Sequence, residues 1–256
     1  MTEKEIKKKY KEEIQKAKAT FLEEKRKMKT ACERELASCN PTEIPPGNNP
    51  PKRGLLEEIG NAVTHGVGAL FSIVAYLFML FASDTPVDVV ASSIYFAGLF
   101  LAMSCSCLYH AFRHGSAVKR LFRRFDYASI YLLIGATFAP ILLCFIGGMY
   151  GFIFLIAQWT IILTGITFIG VFGPHRLRKL HMALYVLLGW SALILLPNML
   201  NTDVGFFLFI LGGGIAYSLG LIPFALKTKI SHFIWHFFVL MGAVTQWIGI
   251  YLYLYL

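Results

Sequence analysis

Uncharged stretches long enough to cross a membrane recur along the chain from residue 59 to the end. Twenty-five residues without a formal charge separate Glu58 from Asp84, and 24 separate Asp88 from Arg113. A further 49 run between Asp126 and Arg176, 23 between Lys179 and Asp203, 23 between Asp203 and Lys227, and 27 follow Lys229. A helix needs about 20 apolar residues to span the hydrocarbon core, so five of these stretches hold one span each and the longest holds two. Gly147-Gly148-Met149-Tyr150-Gly151 is the natural hinge inside the long one. The pattern predicts an all-α bundle of seven transmembrane helices over residues 55–256.

Residues 1–39 follow a different pattern. They are rich in Lys and Glu, with Ile6, Tyr10, Ile14, Ala17, Phe21 and Met28 near helical spacing. This reads as a solvated, weakly amphipathic cytoplasmic helix. Such a helix could self-associate, touch anionic lipid, or do no more than stay soluble. Residues 40–54 contain five prolines together with Gly47, Asn48 and Asn49, the composition of a linker.

Charge sets the orientation. All 24 Lys and Arg fall on one side of an alternating seven-span topology, while the opposite loops carry Asp84, Asp88 and Asp203. The positive-inside rule places the N-terminus in the cytoplasm and the C-terminus outside, in what we expect to be the plasma membrane. The net charge of +9 therefore reflects topology and gives no support for nucleic-acid binding. Tyr251-Leu252-Tyr253-Leu254-Tyr255 suits an aromatic belt at the outer interface. The first apolar run is full length, so it reads as a span and not as a cleavable leader. The five cysteines do not form a disulfide framework: Cys32 and Cys39 are cytoplasmic, and Cys105, Cys107 and Cys144 read as small thiols packed in or near spans.

Polar residues at membrane depth are costly, and they converge here. His232 and His236 are one helical turn apart at the start of the last span, on one face and about 6 Å apart along the axis. Two readings fit that pair: ligands of one metal ion, or hydrogen bonding between helices. His110 closes the second span with Ser106 one turn deeper, and Asp126 is expected as the first or second residue of the third. Glu57, Asn61 and His65 form an i, i+4, i+8 polar stripe on the first span. Four helices thus bring ligating or ionisable groups to the inner leaflet. Three histidines from two helices with an open position are the ligand set of a catalytic zinc site. Asp126 reads either as a salt-bridge partner of Arg120, Arg123 or Arg124, as an N-cap, as a fourth ligand, or as a carboxylate holding metal-bound water. His114, His175 and His181 sit in or beside basic loops and read as solvated. Gly212-Gly213-Gly214 and Gly220 predict a close helix approach, and Pro140 and Pro223 predict kinks or helix ends.

The sequence resembles the hemolysin III family, within the wider progestin and adipoQ receptor family that includes the adiponectin receptors. The likeness covers residues 54–256 and rests on Asn61-Ala-Val-Thr64-His65-Gly66-Val-Gly68, Ser106-Cys-Leu-Tyr109-His110, and the run from Asp126 to Pro140. Tyr185-Val-Leu-Leu-Gly189-Trp190, Gly213-Gly214-Ile-Ala-Tyr217-Ser-Leu-Gly220 and His232-Phe-Ile-Trp235-His236 complete it. The resemblance implies a zinc ion near the cytoplasmic face held by His110, His232 and His236, with Asp126 near the metal-bound water and Ser106 one turn from the first ligand. Departures are Pro223-Phe224 at the end of span six, Gln246, and the long N-terminal extension.

Three functions follow as expectations. The wider family's alkaline ceramidases suggest a zinc-dependent hydrolase of lipid amides or esters, with membrane lipid as substrate, Asp126 as proton acceptor and Ser106 as oxyanion donor. The hemolysin name suggests a pore-forming or cytolytic protein, although no charged ring or lumen stripe is visible. The receptor relatives suggest a sensor with a structural zinc. The oligomeric state is not legible in the residues.

Overall fold

A computed structural model describes residues 3–38, 50–226 and 228–256. All regular structure among them is helical. The chain separates into two compact units, Met1–Pro45 and Pro46–Leu256. The first holds one long helix, α1 (Glu3–Ser38), in which Tyr10, Ile14, Phe21 and Met28 are all exposed. Most of the expected linker, residues 40–49, and Cys39 and Lys227 lie outside the described residues.

Among the described residues, the second unit contains seven helical spans long and apolar enough to cross a membrane. They are α2 (Leu55–Phe81), α3 (Pro86–Ala111), and α4 (Ala117–Pro140) extended by a π-helical turn over Ile141–Ile146. Next come α5 (Gly148–Arg176) and a broken fifth span: α6 (Arg178–Trp190), a 3-10 segment (Ser191–Leu195) and α7 (Leu196–Thr202). α8 (Val204–Leu226) and α9 (Ser231–Leu254) close the bundle. The protein is a multi-pass integral membrane protein.

Local chemistry fixes the ends. Thr85 and Asp88 form a reciprocal capping box with Pro86 at the first helical position of α3. Ser116 caps α4 by accepting the Lys119 N–H at 3.1 Å. The hinge expected in the longest uncharged stretch falls at Gly147, whose φ of 63° is a left-handed conformation that a side chain would strain. Pro140 marks the end of α4, whereas Pro223 lies within α8.

α3 packs between α2 and α4, α8 packs along α9, and α2 touches α9. The third span, α4 with its π turn, has 61% of its apolar window buried, against 22% for α5, so it is the central helix. Large apolar side chains such as Leu70, Phe81 and Leu187 point outward from other spans, as lipid-facing positions should. The α8–α9 contact is backbone to backbone. A Cβ on Gly213 would lie 2.9 Å from the Gly242 carbonyl oxygen, and one on Gly242 would lie 3.1 Å from that of Gly213. Of the glycine triplet only Gly213 makes this approach, for Gly214 has open space around it. The close contact fixes how α9 is rotated, and that rotation carries His236 into the interior.

Candidate metal centre

Four helices, α2, α3, α4 and α9, contribute the central histidines and their supports. His110 is the penultimate residue of α3, and His232 and His236 occupy the first two turns of α9. Ligand nitrogens of all three lie within 4.8 Å of one another, the one such cluster of potential metal ligands among the described residues. His232 Nε2 and His236 Nε2 stand 3.1 Å apart. Two nitrogens on one tetrahedral ion, each about 2.0–2.1 Å from it, are separated by about 3.3–3.4 Å, so this pair is already close to ligand spacing. His110 and His236 are buried, and His110 Nε2 has no hydrogen-bond partner. A buried nitrogen lone pair without a donor is costly unless something accepts it. A soft or borderline cation with nitrogen preference fits this donor set.

The opposite nitrogen of His110 is fully occupied. Nδ1 meets Glu58 Oε2 on α2 at 2.5 Å and lies 3.3 Å from the Asn61 amide. A carboxylate only accepts, so Nδ1 carries the proton and Nε2 carries the lone pair. Glu58 Oε1 in turn accepts from Lys119 Nζ on α4 at 2.9 Å. Lys119 is only 1% exposed and also donates to the carbonyl oxygens of Phe112, at 3.1 Å, and His110, at 3.5 Å. His65 does not belong to the ligand cluster; its ring stacks on His236 with centroids 3.9 Å apart. Asn61 is fully buried beside His110.

Other positions differ from those expected. Asp126 is not at the start of the third span: α4 begins at Ala117, which makes Asp126 its tenth residue and gives the capping role to Ser116. The helix runs through the arginine-rich segment because Arg120 and Arg124 find acceptors in the Gly115 and Gly170 carbonyls. Asp126 lies outside the three-histidine cluster and lines the same cavity as Ser106. Glu57 turns toward Arg53, at 3.8 Å, and the neighbouring Glu58 is the acidic residue that reaches the histidines. His181 is not solvated. It is 1% exposed on α6, with Nδ1 2.9 Å from the Tyr131 hydroxyl, because Gly173 and Pro174 end the preceding span early and bring His181 against α4. His175 is exposed, and His114 bonds the Pro50 carbonyl at 3.1 Å.

A cavity of about 190 Å³ opens beside these residues. His65, Ser106, Asp126, His232 and His236 line its polar end. Apolar residues such as Ile134, Ile141, Leu193, Met199, Phe207 and Ile210 dominate the rest, with Thr137, Ser218 and Gln246 among them, so it is a mainly apolar channel along α4, the broken fifth span and α8.

The family model described as Haemolysin-III related matches residues 53–247. The chain belongs to the hemolysin III family. This hemolysin III family member is 37% identical over 192 residues to Hemolysin-3 of Bacillus cereus, covering 73% of this chain and 87% of that protein. It is 36% identical over 196 residues to the Hemolysin-3 homolog of Bacillus subtilis (strain 168), covering 74% and 91%. The matched region in the family member contains α2 and every histidine of the cluster, and leaves out α1.

Proposed function

We propose that this hemolysin III family protein is a zinc-dependent hydrolase of lipid amides or esters, with its site at the cytoplasmic ends of the spans. One observation carries the reading: a cluster of three histidines opens, through His232 and His236, onto a mainly apolar cavity that is also lined by a carboxylate outside the ligand cluster. His110, His232 and His236 would hold the ion. Zinc bound by three nitrogens with an open position polarises a carbonyl and lowers the pKa of water to about 7. The chain's own residues supply the remainder. Asp126 would accept a proton, and Ser106, which lines the same cavity, would donate to the oxyanion. The channel takes an acyl chain and keeps water from it, leaving the polar linkage at the histidines.

The test is metal analysis of purified protein followed by lipid mass spectrometry. We expect about one zinc per chain, lost when His110, His232 or His236 becomes Ala, and turnover of a long-chain amide or ester that follows the zinc. Zinc-loaded protein that leaves ceramide, phospholipid and acyl-amide substrates intact would sink the hydrolase reading. The two relatives are a Hemolysin-3 and a Hemolysin-3 homolog, and that name favours a second reading as a cytolytic protein. That reading expects leakage of dye-loaded vesicles with no change in lipid composition.

A further inference from the structure

Glu58 and Lys119 touch the histidine cluster and have no task in the proposed reaction. We propose that Glu58 is a positioning residue for the metal, held in place by Lys119 and acting through His110. This rests on reading the three histidines as a metal site.

The geometry is that of a carboxylate–histidine–metal relay. Glu58 Oε2 accepts the proton of His110 Nδ1, which leaves the unpartnered Nε2 as the only lone pair the ring can offer. The carboxylate cannot turn away, because Lys119 Nζ takes its other oxygen at 2.9 Å. Lys119 is fixed in turn. Its three ammonium protons meet three acceptors: Glu58 Oε1 and the carbonyl oxygens of Phe112 and His110. Those carbonyls belong to the C-terminal end of α3, where backbone groups lack helical partners and carry partial negative charge. The ring orientation of His110 is thereby set from α2 and α4 as well as from its own helix.

A purely structural ion pair accounts for this less well. A buried pair recovers little net stability against its desolvation, and apolar side chains would join the three helices as firmly. What apolar side chains would not do is choose the tautomer of His110.

The test uses full-length protein in detergent, stripped with a chelator and titrated with zinc against a chromophoric competitor. Glu58→Gln should weaken zinc binding about 10- to 100-fold and shift the visible absorption of cobalt(II) placed in the site. Lys119→Met should weaken it by a smaller factor. Glu58→Asp keeps the charge, withdraws the carboxylate from His110 and should weaken zinc in the same direction, which covers the case of a Gln variant that does not fold. Unchanged zinc affinity in both Glu58 variants would overturn the proposal, as would weakened zinc binding with an unaltered cobalt(II) absorption, the mark of a general structural effect. Wild-type protein that binds no zinc would overturn this inference together with the metal reading. Zinc-binding wild type with unaffected Glu58 variants would overturn this inference alone.

Discussion

Replacing Asp126 by Asn separates metal holding from proton handling. The carboxylate lies outside the histidine cluster, so the three nitrogens should keep the ion when its charge is removed. Asn has nearly the same shape and keeps one acceptor oxygen, so stability should change by no more than about 1 kcal/mol. General-base catalysis contributes about two to four decades of rate. At 1.36 kcal/mol per decade the barrier should rise by about 3–5 kcal/mol. The experiment measures zinc per chain, thermal unfolding in detergent, and release of a long-chain acyl group on one preparation. We expect full zinc, an unchanged unfolding temperature and turnover reduced at least a hundredfold. Zinc lost in step with turnover would make Asp126 a ligand, and undiminished turnover would remove it from the chemistry.

Gly213→Val should force α8 and α9 apart, because its first side-chain carbon would meet the Gly242 carbonyl at 2.9 Å. We expect a loss of about 1–3 kcal/mol, the usual cost of overpacking, seen as a lower unfolding temperature. His181→Ala should leave zinc content intact while orphaning the buried Tyr131 hydroxyl, at a cost of about 1–3 kcal/mol readable in the same melt. Single cysteines placed at Arg120 and at Leu256, in protein otherwise free of reactive thiols, should label from opposite sides. Labelling of position 120 from outside would reverse the orientation and the cytoplasmic placement of the site.

The span count was legible because one energetic requirement, about 20 apolar residues per crossing, leaves an unmistakable trace in charge spacing. His110, His232 and His236 were legible for a related reason, since a ligating side chain at that depth has few other uses. The supporting groups were not. Glu57 and Glu58 are neighbours, and each shares a helical face with Asn61 and His65: Glu57 through i, i+4, i+8 and Glu58 through i, i+3, i+7. Only the packed rotation of α2 chooses Glu58. Lys119 reads as a snorkelling residue at a helix start, and nothing in its surroundings along the chain reveals the Glu58 carboxylate on another span. Asp126 was misplaced by about two turns, because an arginine-rich segment resembles a loop until its guanidinium groups find acceptors. His181 was misjudged for the converse reason: the break at Gly173 and Pro174 shifts the next helix earlier than the charges imply.

The histidine cluster joins residues 110 and 232, separated by 122 positions and by four intervening spans. Its last two members sit on the seventh of these spans. During translation the second span therefore waits, with a buried imidazole prepared by Glu58 and Lys119, until the seventh span has been inserted and packed. A chain interrupted anywhere before His232 has one ligand and no site. An ion captured there would lock the second span to the seventh across a very long loop. The cluster is thus assembled only after the seventh span has packed against the second.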